Sequence, residues 1–245
     1  MRIVSTVPSQ TELLYYLGLD EEVVGITKFC IHPDSWFRRK TRVGGTKTLH
    51  LEQIAQLGPD WVLANKEENV KEQIEACSQW ASIYVSDISD LDDAIKMIAD
   101  IGKIVNKEEN ALQLAGKISE DFGKLGKRAS AKVSAAYLIW QNPLMTIGQD
   151  TFIHDMMMRN GWDNVFTHYQ RYPGISQEEL VAAAPEVLFL SSEPYPFGDR
   201  HIAGFQRLLP DTRILLVDGT YFSWYGSRLA HAVDYFNSIY RQIAG

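Results

Sequence analysis

The feature that most narrows the fold of this chain is an internal duplication. The segment "LEQIAQLGPDWVLAN", Leu51 to Asn65, aligns without a gap on "QEELVAAAPEVLFLS", Gln177 to Ser191. Each copy reads as a short amphipathic helix, then Pro59 or Pro185, an acid, and a buried apolar strand. Upstream, "LLYYLGLDEEVVGIT" resembles "IHDMMMRNGWDNVFTH", each a helix ending at Gly18 or Gly161 before an acid and a short strand. Helix, Gly, strand, helix, Pro-acid, strand therefore occurs twice in one order. A solenoid needs at least three shorter repeats, so two copies of this length predict two related α/β lobes. The first copy is longer, by a loop around Cys30 to Thr48.

Between the copies, "NKEENALQLAGKISEDFGKLGKR" reads as one long helix, with a cap signature at Asn106 and Glu109. Ala111, Ala115, Ile118, Phe122 and Leu125 form one apolar stripe with charges elsewhere. About 22 residues at 1.5 Å each span roughly 33 Å, enough to run from one lobe to the other. Gly116, Gly123 and Gly126 weaken this helix. A helical strut restricts hinge closure and favours a largely preformed cleft between the lobes. The expected division is an N-terminal lobe over 1–88, a helical connector over 89–129 and a C-terminal lobe over 130–245.

Strands are expected at Ile3 to Thr6, Val23 to Ile26, Trp61 to Ala64 and Ile83 to Val85, then at Val133 to Ile139, Val187 to Leu190 and Ile214 to Val217. Alternation of these strands with helices means parallel sheets with crossovers, whose ligands gather beyond the carboxyl ends of the strands. The opening turn "VPSQTELLYYLG" is the first such place: Pro8 stops the strand, and Ser9 with Glu12 makes an S-x-x-E capping box. Backbone N–H groups there and the Ser9 hydroxyl are expected to face a ligand, against the plainer reading that Ser9 only caps its helix.

At 245 residues, 45% hydrophobic and 22% charged, the chain is long enough for two cores. Its net charge of -7 argues against nucleic acid or an anionic membrane as partner. No stretch approaches the ~20 apolar residues of a membrane span, which predicts no membrane insertion. As written, the first strand follows Met1 directly, so the expected location is the cytosol, or the periplasm or cell surface if a signal segment has been removed. Cys30 and Cys77 are too few for a disulfide framework, and free thiols are the default, with a single bridge left open.

With the duplication, the connector and the phrases "VPSQTELLYYLGLDEEVVGIT", "LEQIAQLGPDWVLA" and "VDGTYFSWYGSRL", the sequence resembles the helical-backbone substrate-binding proteins of ABC importers for cobalamin, siderophores, haem and some metal ions, and most of all their cobalamin-binding branch. The resemblance covers almost the whole chain. It implies two Rossmann-like lobes joined by one helix, with a corrinoid-like or other metal-chelate ligand held between them by aromatic packing and loop backbone, and a possible importer permease as partner. Carried over, the first turn falls on Pro8 and Ser9, the loop after the third strand on Lys66 and Glu67, and the last cleft loop on Tyr221 and Trp224. Two departures stand out: no secretion signal, and Asn65-Lys66 where cobalamin binders often place an aromatic. Of the glutamates that dock on importer arginines, Glu68, Glu72 and Glu193 are the possible equivalents.

The loop "KFCIHPDSW" sets Cys30, His32 and Asp34 at alternating positions, which an extended backbone would point to one side. Thiolate with imidazole suits zinc or another borderline metal, so metal ligation, polar cleft lining and a packed loop are all open. "GGTKT" fails the phosphate-loop pattern; its glycines allow a turn near the ligand, with Thr46 and Lys47 beside it and Lys47 facing an anionic group. "NKEEN" is either a solvated helix start or ligand contact by Lys66 and Glu67. "HYQRY" and "EPYPFGDRH" bring His168, Tyr169 and Tyr195 to predicted strand ends, and "YFSWYG" sets Tyr221 and Trp224 where there is little core to fill. Trp61, inside a strand, is expected in the core, the Met156 to Met158 run in helix packing, and His231 on the terminal helix surface. No G-x-S-x-G, H-E-x-x-H, C-x-x-C or G-x-G-x-x-G occurs, so the chain is read as a non-catalytic binder that requires no cofactor. A divalent-metal binder built on Cys30 and His32, or an intracellular sensor or enzyme reusing the bilobed fold, is the alternative.

Overall fold

The computed structural model describes residues 1–127 and 132–244. The chain divides into two compact units: unit 1 is Met1–Ile88, Asp92–Ile118 and Trp224–Leu229, and unit 2 is Ser89–Leu91, Ser119–Ser223 and Ala230 onward.

Unit 1 holds a parallel sheet built from β1 (Ile3–Ser5), β2 (Val23–Ile26), β3 (Thr41–Arg42), β6 (Trp61–Asn65) and β7 (Ser82–Ser86), in the order β3-β2-β1-β6-β7. Helices α1 (Pro8–Tyr16), α3 (Leu51–Leu57) and α4 (Lys71–Cys77) make the crossovers. The extra loop of the first copy supplies α2 (Asp34–Arg39), β3 and a small hairpin of β4 (Gly44–Gly45) and β5 (Thr48–Leu49). Val4, Val43, Ile54, Val62, Ala64 and Ile74 form the core on one face of the sheet.

Unit 2 holds a second parallel sheet of β8 (Val133–Leu138), β9 (Trp162–Asn164), β10 (Val187–Ser191) and β11 (Arg213–Val217), in the order β11-β10-β8-β9. Its helices are α7 (Phe152–Arg159), α8 (Gln177–Ala183), α9 (Asp199–Leu208), α10 (Thr220–Ser223) and α11 (Leu229–Ala244). Side chains alternate along the strands. Ala136, Leu138, Leu188 and Leu190 join Phe166, Leu180 and Phe205 on one face, while Tyr137 and Phe189 meet Trp162, Phe222 and Phe236 on the other.

The strand orders carry the duplication into three dimensions. Reading β2-β1-β6-β7 against β9-β8-β10-β11 places corresponding strands of the two copies in the same positions. The stops match as well. Gly18 and Gly161 share a left-handed conformation (φ 77° and 74°), and so do Gly58 and Ala184, just before Pro59 and Pro185. All expected strands form, with ends shifted by at most a residue.

Three local expectations need correction. Val7, in extended conformation, is the N-cap of α1 and makes no side-chain cap bond, with Pro8 at the first helical position. Proline has no N–H to lose and its φ is preset for a helix, so the helix starts two residues early and Ser9 falls inside it, out of capping-box register. Asn106 does not start the connector helix. It stops α5 (Leu91–Ile104), in left-handed conformation (φ 57°), with its N–H donated to Lys103 O at 3.3 Å and the Lys107 N–H to Gly102 O at 2.8 Å. The connector helix α6 then runs Glu108–Gly123 and tightens into a 3-10 turn at Lys124–Lys127, with its whole apolar stripe buried. The division between the units falls within α6, after Ile118. Arg128, the last residue of the expected helix, and the expected boundary at 129–130 lie outside the described residues. Trp61 is only half-buried, because it opens its strand at the sheet's amino end; Met156, Met157 and His231 lie as expected.

Candidate functional site

At the carboxyl end of the unit 1 sheet, β6 and β7 finish in polar residues that bond each other and Gln10 of α1. Gln10 Nε2 donates to Ala64 O (3.1 Å) and Ser86 Oγ (2.9 Å), and Asn65 Nδ2 donates to Ser86 O (3.1 Å). Asn65 Oδ1 accepts the N–H groups of Glu67 (2.9 Å) and Glu68 (3.1 Å), shaping the turn after β6. Asn69 accepts from the Asn65 N–H and Thr6 Oγ1 and donates to Thr46 O, so this turn and the β4–β5 hairpin are tied together. On that frame Lys47 Nζ donates to Glu67 O (2.5 Å), and Lys66 pairs with Asp87 (2.5 Å) in the open. Asn65 is thus a buried girder of the loop. Thr46, Lys47, Lys66 and Glu67 lie together on it.

The loop after β2 buries one of the two residues singled out as metal ligands. Cys30 is fully buried, with its thiol 3.1 Å from Thr11 Oγ1 and 3.2 Å from Thr27 Oγ1, and burial pushes its pKa up to about 11. Asp34 opens α2 and pairs with Arg38 at 2.7 Å. Pointing Cys30, His32 and Asp34 to one side requires an extended backbone, which the start of α2 ends at Asp34. Among the described residues no group of three or more His, Cys, Asp or Glu is placed to hold a metal ion. Both cysteines are free and buried. With neither exposure nor a low pKa, Cys30 is expected to resist a thiol reagent such as DTNB at pH 8 until denaturant is added; stoichiometric labelling of the folded protein within minutes would contradict this burial.

The same loop exposes what the sequence reading passed over. Phe29 is 50% exposed and Ile31 47% exposed, with the Lys28 ammonium 5.1 Å from the Phe29 ring centroid. Phe29 rests on the hairpin glycine: a Cβ on Gly45 would lie 3.2 Å from its ring. Two apolar residues flanking a buried cysteine are the period-2 signal that could have marked them.

The segment Trp224–Leu229 belongs to unit 1 and clasps it. His32 meets Trp224 edge-on (centroids 5.6 Å), and the Arg228 guanidinium lies 4.7 Å from the Trp224 ring. Arg228 then holds Glu12 with two nitrogens, at 2.5 and 3.1 Å, and the Tyr225 hydroxyl donates to Glu68 at 2.7 Å. The backbone at Gly226 lies against α1, where a Cβ would come within 2.9 Å of Ser9 O. Ser9 is therefore covered, its hydroxyl buried without a hydrogen-bond partner, and Pro8 is half-buried. Trp224 and Tyr225 are each only 7% exposed. They fill a core after all, so Trp224 and Ser9 do not present the faces expected of ligand contacts.

In unit 2, loops after β8 and β10 join an aromatic group. Trp140, 38% exposed, packs edge-on against Tyr195 (5.5 Å), whose ring also contacts Phe197 and His201. The Tyr195 hydroxyl donates to Gln141 Oε1 at 2.7 Å. His168 and Tyr169 lie ring to ring at 4.2 Å, with the Tyr169 hydroxyl donating to Glu179 at 2.6 Å and holding that carboxyl below its usual range. Tyr221 stacks on Tyr235 (4.3 Å, 16°), and Ser223 donates to Glu193 at 2.7 Å. Of the three glutamates singled out for docking, Glu72 is exposed in the first turn of α4, whereas Glu68 and Glu193 accept these bonds. Trp140 escaped the sequence reading because it follows its strand singly.

The family model described as periplasmic binding protein matches residues 3–208. The vitamin B12-binding protein of Vibrio campbellii is 26% identical over 194 residues, covering 78% of this chain and 70% of that protein. Among solved structures, the periplasmic vitamin B12 binding protein of Vibrio cholerae superposes with a TM-score of 0.85 at 21% identity, covering 99% of this chain and 97% of that one. The periplasmic heme binding protein of the same species gives a TM-score of 0.83 at 21% identity over 98% of both chains. The two-lobed α/β fold expected from the duplication is the fold of these proteins.

Proposed function

Because the chain belongs to the periplasmic binding protein family, we propose that it is a non-catalytic carrier of a large organic metal chelate, of the cobalamin or haem type, for an ABC importer. The observation that carries the reading is the set of apolar side chains left in water at the carboxyl ends of the sheets: Phe29 and Ile31 in unit 1, Trp140 in unit 2. A corrin or porphyrin is a wide apolar plate with polar groups on its rim; the exposed rings of Phe29 and Trp140 match the plate, and the exposed Lys47, Lys66 and His168 match the rim. The chelate is cargo, and no cofactor takes part. The place of action is beside the permease, outside the cytoplasmic membrane; among the described residues no helix is long and apolar enough to cross a membrane.

The test is a tryptophan-fluorescence titration with hydroxocobalamin and, separately, haemin, corrected for absorbance. One of the two is expected to saturate at micromolar concentration or below. Phe29→Ala and Trp140→Ala should each weaken it about tenfold, the loss of one aromatic anchor. Absence of saturable binding by both ligands, or wild-type affinity in both variants, would sink the proposal.

A further inference from the structure

Unit 2 has a cavity of about 300 Å³ that the carrier reading does not use. Its apolar wall is Leu144, Phe205 and Leu208, and its polar side is Gln177 and Arg200, with Gly204 of α9 between them. The volume is at the lower end of what small-molecule pockets offer.

The charge at the cavity's rim points to the class of occupant. Arg200, exposed in the first turn of α9, makes no ion pair with a carboxylate among the described residues, while His201 beside it is buried and accepts the Gly198 N–H at Nδ1 (2.8 Å). Gly204 is exposed and a Cβ built there meets nothing within 4 Å, so the side of the cavity that it lines is open.

We propose that this cavity is a second binding site, for a small organic carboxylate. The carboxylate lies on the Arg200 guanidinium, whose planar fork matches it, with the Gln177 amide alongside; the apolar body lies over Gly204 against Leu144, Phe205 and Leu208. A bare anion would leave the apolar wall in water, and an uncharged analogue would leave the guanidinium unmatched.

Benzoate is the probe, followed by ligand-observed NMR and calorimetry on the full chain. A dissociation constant on the order of 1–10 mM is expected for a ligand of this size. Benzyl alcohol should bind at least about tenfold more weakly, and inorganic phosphate should not displace benzoate. Arg200→Gln should abolish saturation. Gly204→Leu should fill the cavity and abolish it too, while melting no lower than wild type, since leucine is the better helix former and has room. Because Gly204→Leu keeps the fold, loss of binding there reads occupancy of the cavity alone. Unchanged benzoate affinity in Gly204→Leu, or no saturable binding up to about 50 mM, overturns the proposal. Neither result bears on cobalamin or haem binding, which the fluorescence titration reads separately.

Discussion

Trp162→Ala is expected to cost about 3–5 kcal/mol of stability, the largest effect of any single change considered for this protein. Trp162 is fully buried and lies at the centre of the aromatic face of unit 2, with ring centroids 5.0 Å from Phe189, 5.9 Å from Phe222 and 5.9 Å from Phe236. Removing the indole leaves a cavity that three stiff rings cannot close, because Phe222 also packs on Phe189 at 6.0 Å and on Phe236 at 5.0 Å. Trp162→Phe should lose far less, since it keeps a ring and removes an indole N–H that is buried without a hydrogen-bond partner. Urea denaturation of the three proteins decides it. An alanine variant within about 1 kcal/mol of wild type would mean that the cluster is not packed as described.

Arg228→Ala is expected to cost about 2–3 kcal/mol and to release the segment that clasps unit 1. The Arg228 and Glu12 side chains are 14% and 21% exposed, so the pair is neither a surface bridge of little value nor fully desolvated. Losing the arginine strands Glu12 and removes the cation from the Trp224 ring together. Glu12→Gln should cost less, because an amide still accepts one hydrogen bond from the guanidinium. A double-mutant cycle with Glu12→Ala is expected to show coupling of about 1–2 kcal/mol. Additive single mutants would place Arg228 among ordinary surface side chains. Loosening should also be visible at Trp224, whose emission is expected to shift to longer wavelength as the indole meets water.

These two sites show how unevenly the sequence could be read. The strands were legible because apolar runs, Pro-acid markers and helix-stopping glycines act over a few residues, and the duplication tested each assignment twice. Legibility failed where two local signals competed. Ser9 and Glu12 form a valid capping box on paper, but Pro8 starts the helix two residues earlier, and Glu12 instead meets Arg228, 216 residues away. Asn106 carries both cap and stop chemistry, and the helix before it claims it as a stop.

The candidate site divides in the same way. Lys66 and Glu67 stand out because they follow a strand and Lys47 because it follows a glycine pair, and Asn65 and Asn69 tie the loops that carry them together. Trp224 and Cys30 were misjudged because exposure is a long-range property: Trp224 is covered by His32 and Arg228, Cys30 by Thr11 and Thr27, and no local pattern encodes those partners.

Backbone periodicity and turn chemistry are local, so the amino-acid order alone carries the two-copy architecture, its parallel sheets and the loops from which a site can be built. Which side chains in those loops stay in water depends on contacts between residues far apart in the chain. Only packing in three dimensions settles that Phe29, Ile31 and Trp140 are left open while Ser9, Cys30 and Trp224 are covered.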